Sequence, residues 1–177
     1  MNNKTILLSG AHGVGKGFYL RNTLSKCNAF TILEASKLIS QYKKADDAGY
    51  KKVIDVSDNQ QVLLTALTAE QLKITGTIIL DGHLCILNAS EEIENIPENF
   101  LKKASICGII LLQDEPQNII KRQSERDGSE LEYNIIKMIQ QKELEYCEDL
   151  LSKYSLPYNI IKPTCSYQEF IKIINEM

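Results

Sequence analysis

The residues with the most explicit chemistry lie in Ser9-Gly10-Ala11-His12-Gly13-Val14-Gly15-Lys16-Gly17-Phe18, which holds four of the chain's nine glycines. Glycines at these spacings let the backbone curl until successive N–H groups converge on phosphate oxygens. A helix opening at Lys16 adds the partial positive charge of its N-terminus, and the Lys16 ammonium can follow β- and γ-phosphates. Gly10-x-x-x-x-Gly15-Lys16 carries this meaning only between a strand and a helix, and the apolar run before it supplies the strand. A glycine-rich turn with no ligand is the plain alternative, and that context weighs against it. Residues Gly10, Ala11, His12, Gly13, Val14, Gly15, Lys16, Gly17 and Phe18 are therefore expected to hold ATP. Gly17 and Phe18 stand where many such loops place the Ser or Thr hydroxyl that holds Mg²⁺, so the loop needs completing from elsewhere.

The elements that must position this loop follow from hydrophobic patterning. Thr5-Ser9, Phe30-Glu34, Thr77-Asp81, Ile106-Gln113 and Tyr158-Ile161 are short, aliphatic and unalternating, as strands buried on both faces should be. Helical patterns separate them. The clearest starts at a capping box, Ser129-x-x-Glu132, and continues through Leu131, Ile135, Met138, Ile139, Leu144, Cys147, Leu150 and Leu151. Pro116 suits the first turn of a helix. Strand and helix alternating in this way predict a three-layer α/β/α domain around a five-stranded parallel sheet, a single domain over 1–177. Two helices, Ala35-Lys44 and about Asp58-Lys73, form an insertion over 35–75, a small helical cap where a second substrate can sit. Ser57 or Asp58 could cap the second.

Composition sets the bounds. The chain has 177 residues, 44% hydrophobic and 24% charged, with a net charge of −3. A domain this long buries about 70% of its unfolded surface without staples. The scattered charge excludes a nucleic-acid footprint, and no apolar run approaches a membrane span or a signal peptide. Cys27, Cys85, Cys107, Cys147 and Cys165 form no CxxC pair and read as reduced thiols of a cytoplasmic protein. Zinc hydrolase, serine hydrolase and dinucleotide motifs are missing.

Gly13-x-Gly15-Lys16-Gly17 resembles the loop of adenylate kinases, in which glycine directly follows the lysine. The resemblance extends over most of the chain and is nearest the compact archaeal-type members of the P-loop nucleoside monophosphate kinases, which implies the P-loop NTPase fold. In that family Mg²⁺ is held largely by nucleotide oxygens and water. Phe18 departs from the family's threonine and His12 from a common proline.

Further site residues come with this resemblance. Thr77-Ile-Ile-Leu-Asp81-Gly-His83 is similar to the family's strand ending in aspartate. It implies that Asp81, at the carboxyl end of a buried strand, holds Mg²⁺ through water. An aspartate capping the next turn would look the same. His83 is as well explained by satisfying backbone groups as by contacting substrate. Arg122 and Arg126, four apart and so on one helix face, resemble the family's short lid (about 122–130) that closes on the phosphates, and a solvated helix is the plainer account. In the family an arginine near 51–67 usually grips the acceptor phosphate. Here Lys51 and Lys52 could serve as point charges, and Gln60 or Gln61 could read a base edge. Pro163 and Thr164, after the last strand, match the adenine-holding loop by position.

The expected reaction is ATP- and Mg²⁺-dependent γ-phosphoryl transfer to a nucleoside monophosphate, with nucleotides as the partners and Lys16, Asp81, Arg122 and Arg126 as the catalytic set. Two alternatives stay open: a hydroxyl acceptor with Asp81 as base, and an ATP-binding regulatory module or weak ATPase acting on a partner. Nothing in the sequence decides the oligomeric state.

Overall fold

The computed structural model describes residues 3–24, 29–46, 56–88, 92–127 and 132–177, with backbone alone at 23–24, 44–46, 56–58 and 126–127. In chain order the elements are β1 (Lys4–Ser9), α1 (Lys16–Tyr19) with a π-helical turn (Leu20–Leu24), β2 (Phe30–Glu34), α2 (Ala35–Asp46), α3 (Val56–Gln71), β3 (Thr77–Asp81), β4 (Cys85–Leu87), β5 (Ile93–Asn95), α4 (Glu98–Lys103), β6 (Ile106–Leu112), α5 (Pro116–Asp127), α6 (Tyr133–Tyr154), β7 (Tyr158–Ile161) and α7 (Tyr167–Glu176). Five strands form a parallel sheet in the order β2-β3-β1-β6-β7.

Alternation along the strands sends side chains to both faces of the sheet. Leu7, Leu80, Ile109 and Leu111 pack with Leu38 of α2, Leu63 and Leu67 of α3, Leu101 of α4, and Cys147 and Leu150 of α6. Ile6, Leu8, Ile79, Ile110 and Leu112 pack on the other side with Tyr19, Ile119 of α5, and Phe170 and Ile174 of α7. Helices therefore cover both faces, the three layers that the pattern predicts. This is a P-loop NTPase kinase fold. The inserted pair α2 and α3 is anchored through Leu38, Leu63 and Leu67 rather than perched on the rim.

Register aligns the carboxyl ends of the central strands: Leu8 lies opposite both Asp81 and Ile110. The chain crosses from β3 on one side of β1 to β6 on the other. In such sheets the crevice for ligands lies outside the strand ends where the order reverses.

Some expectations need correcting. The capping box at Ser129 falls partly outside the described residues, and Glu132, the N-cap residue of α6, makes no side-chain cap hydrogen bond. Met138 and Leu151, read as part of the buried stripe, are 60% and 45% exposed, while Ile136, Tyr146 and the unexpected Glu143 are buried. The stripe is rotated because α6 packs on the sheet through a narrower seam than its apolar content suggests. The hairpin β4–β5 and the short α4 have no strong periodicity and were not expected from the sequence. Among the described residues, no helix is long and apolar enough to cross a membrane.

Candidate active site

The loop between β1 and α1 has the predicted form, and its neighbours explain its glycines. A Cβ on Gly10 would lie 2.4 Å from the carbonyl oxygen of Leu112, so β1 and β6 could not approach as they do. Gly15 caps α1 with φ of +104°, a conformation that side-chain-bearing residues rarely adopt. From outside, α5 braces the loop: the Gln123 amide donates to the His12 carbonyl at 2.7 Å, and Arg122 Nε donates to Gly13 O at 3.4 Å. Gln123 is 1% exposed and would not be singled out by sequence, since only the fold brings it to the loop.

Lys16 is buried and folded back. Its ammonium donates to Gly10 O at 3.0 Å and lies 4.0 Å from Asp81 Oδ1. Burial lowers its pKa against the pull of Asp81 and Glu143, and burial likewise raises that of Asp81 against the pull of Lys16. Both shifts run against mutual stabilisation, so at 4.0 Å the pair does not repay its desolvation. Each charge has more to gain from a ligand: Lys16 from phosphate, Asp81 from a hydrated cation.

His83 Nδ1 lies 3.0 Å from Gly10 O and 3.4 Å from Lys16 Nζ. Burial first, then Lys16, pushes its pKa down to about 3. The ring is neutral, and a proton on Nδ1 donated to Gly10 O leaves no acceptor for the lysine there. His83 thus meets the loop through the Gly10 backbone and also lines the cleft, so both of its sequence readings stand.

These residues share one cleft of about 580 Å³, lined by the loop from Ala11 to Phe18 together with Arg21, Ala35, Ser36, Asp81, Gly82, His83 and Arg122. Arg21 is new. It follows Gly17 by one helical turn, and its Nη1 lies 3.3 Å from where a Gly17 Cβ would stand. Gly17 therefore leaves room for a guanidinium where other loops carry a hydroxyl. A glycine four residues before an arginine at the start of a helix was the available clue.

Other expected residues fall elsewhere. Arg122 reaches the cleft, but its Nη2 also donates to Asp114 Oδ2 at 2.6 Å. Burial raises the Asp114 carboxyl, but Arg122, Asn118 and the Glu115 amide together outweigh it, so the net shift is downward and the pair is a formed ion bridge. Arg126 lies one turn further along α5, and its side chain is outside the described set, as are Lys51 and Lys52 altogether. Gln60 and Gln61 on α3 do not line the cleft; Gln61 is exposed, and Gln60 Oε1 is buried without a hydrogen-bond partner among the described residues. Pro163 and Thr164 lie in the turn between β7 and α7 and are not among the residues that line the cleft. Among the described residues, no three His, Cys, Asp or Glu side chains cluster as a metal cage. One carboxylate beside a phosphate loop suits Mg²⁺, which keeps most of its waters and takes the rest of its ligands from substrate.

A parallel sheet reversing at β1, a glycine loop with its lysine, and an aspartate on the adjacent strand define a P-loop kinase-like, ATP-dependent phosphotransferase. The chain belongs to the AAA domain family, whose pattern matches residues 9–140. Among solved structures, it is similar to a tunicamycin resistance protein of Deinococcus radiodurans (14% identity, 99% of this chain and 95% of that one, TM-score 0.61). A gluconokinase from Sinorhizobium meliloti 1021 also matches (16% identity, 96% and 87% covered, TM-score 0.49). No curated protein matches the sequence.

Proposed function

We propose that the protein transfers the γ-phosphoryl group of ATP to a nucleoside monophosphate. The observation that carries this reading is the cleft itself, where Arg21 and Arg122 flank Lys16 and Asp81. A phosphate acceptor needs a cation beyond those that serve the donor, and Arg21, which lines the same cleft, would supply one without residues 51–67. In this scheme the loop amides and Lys16 neutralise the β- and γ-phosphates, and Arg122 covers the transferred group from α5. Asp81 would hold hydrated Mg²⁺, which would supply charge neutralisation to the phosphates when bound. Phe18, 66% exposed at the cleft edge, offers an apolar face to the acceptor. A phosphate acceptor is already anionic, so no general base is needed.

One observation favours a second reading, a hydroxyl acceptor. The Asp81 carboxyl is held above the usual carboxylate range, chiefly by burial, as suits a general base.

The test is γ-phosphoryl transfer from labelled ATP with Mg²⁺ to a panel of ribo- and deoxyribonucleoside monophosphates, for the wild type and Lys16→Ala. Transfer to one monophosphate, lost in Lys16→Ala, is the expected result. Transfer only to hydroxyl compounds moves the reading to the second acceptor. ATP binding with no transfer to either leaves a regulatory module.

A further inference from the structure

Glu143 interrupts the apolar seam of α6 and is 0% exposed. An unpaired buried carboxylate costs several kcal/mol, and a leucine would fill such a seam more cheaply. Its surroundings show what it touches. Ser9 Oγ, at the end of β1 and directly before the phosphate loop, donates to Glu143 Oε1 at 2.6 Å. The same Ser9 oxygen accepts the backbone N–H of Leu84 at 2.6 Å. One side chain thus joins α6 to the two segments that carry Lys16 and the Asp81–His83 turn. Its second oxygen, Oε2, is buried without a hydrogen-bond partner among the described residues.

The fold does not need this link to hold those segments together. β1 is already paired on both sides, and Gly82 N–H donates to Leu8 O at 3.1 Å. The link adds an acid within the field of Lys16. Other titratable groups facing it are the thiols of Cys85 on β4 and Cys147 on α6, both kept neutral because burial pushes their pKa values up. His83, against Lys16, is neutral as well, and Asp81 faces Lys16 from the end of the adjacent strand β3.

We propose that Glu143 is a positioning residue of the phosphate loop whose protonation is coupled to Lys16. It keeps more of its charge while the lysine ammonium is folded back on Gly10 O, and it takes up a further share of a solvent proton on Oε2 when that ammonium turns to a bound triphosphate. The electrostatics supply the direction. Turning Lys16 outward removes a compensating cation, and the triphosphate brings several negative charges. Burial already pushes the Glu143 carboxyl up to about 7, opposed by the Ser9 hydroxyl, Lys16 and the backbone amides of Leu84 and Gly10. A small change in field near neutral pH therefore moves a large fraction of a proton. ATP binding is then accompanied by proton uptake and weakens as the pH rises through 7 to 8. A one-unit rise on binding gives roughly a three- to fivefold loss of affinity between pH 6.5 and 8.

This inference rests on the nucleotide site and not on the acceptor, so its readout is binding. A non-hydrolysable ATP analogue with Mg²⁺ is titrated calorimetrically into the full chain at a series of pH values through neutrality, at each in two buffers of different ionisation enthalpy. The proton number from the wild type is compared with that from Glu143→Gln, whose carbonyl can still accept from Ser9. The expected result is a proton uptake that drops in the variant by the Glu143 share while the analogue still binds. Ser9→Ala provides the second arm: losing the donor raises the carboxyl further, so the uptake moves to higher pH. Equal proton numbers in wild type and Glu143→Gln, or an unshifted profile in Ser9→Ala, overturn the proposal even if both variants are less stable. Neither outcome depends on whether any phosphoryl acceptor has been found.

Discussion

The two sides of the cleft are built differently. On the donor side, the loop from Gly10 to Gly15 is held by β6 through the close approach at Leu112, by α5 through Arg122 and Gln123, and by His83. On the side proposed for the acceptor stand Phe18, Arg21 and Ser36, all exposed, on α1, its π-helical turn and the first turn of α2. The donor side presents backbone amides, which any nucleoside triphosphate can use, and fixes them from several directions. The acceptor side presents side chains that a few substitutions could replace. On the proposed division, phosphate handling and substrate choice lie in separate hands, so that acceptor identity is not legible from the loop.

Breaking the donor side should have the larger effects. Asp81→Asn removes the charge proposed to hold hydrated Mg²⁺, and steady-state kcat should fall about 10²–10³-fold with the Mg²⁺ requirement moved to higher concentration. Gly10→Ala forces a methyl toward the Leu112 carbonyl. It should lower stability by about 2–3 kcal/mol in urea denaturation and weaken ATP binding at the same time.

Glu143 provides a pH handle on the same side. Its carboxyl pKa is raised from 4.5 to about 7, so the folded state favours the proton. The stability this supplies is complete below about pH 4.5 and lost as the pH rises through 7. Glu143→Gln has no such loss, so its melting temperature relative to wild type should rise between pH 5 and pH 8. The gain is on the order of 2–3 kcal/mol, read by calorimetry at several pH values.

The smallest effect belongs to the acceptor side and sharpens the comparison. Arg21→Ala should raise the acceptor KM about tenfold while the dissociation constant for ATP changes less than about twofold. If ATP affinity falls by as much as the acceptor KM rises, Arg21 belongs to the donor side and the division drawn here fails.

Much of this architecture could be read in advance. The five core strands are legible because burial on both faces requires unbroken aliphatic runs such as Ile78-Ile79-Leu80, and the phosphate loop because its geometry demands glycine. What stayed hidden depends on distance in space. Ser9 and Glu143 are 134 residues apart, and a serine ending a strand or a glutamate on a helix carries no mark of its partner. Gln123 and Arg21 are ordinary helix residues until the fold places them against the loop. Short elements such as β4 and β5, three residues each, offer too little periodicity to detect. Met138 and Leu151 misled for the opposite reason, being apolar at helical spacing on a face the sheet does not reach.

The order in which the braces occur along the chain has a consequence for biosynthesis. Lys16 is made early, but Leu112, Arg122, Gln123 and Glu143, which hold the loop around it, all come at least 96 positions later. The central strand β1 likewise waits for β3 and β6, its partners on either side. Contacts this distant in sequence form slowly, since the intervening chain must first be closed into loops. A nascent chain that stops short of β6 should therefore carry the phosphate-loop sequence without a phosphate loop. Nucleotide can stabilise the fold by mass action only once α6 has emerged.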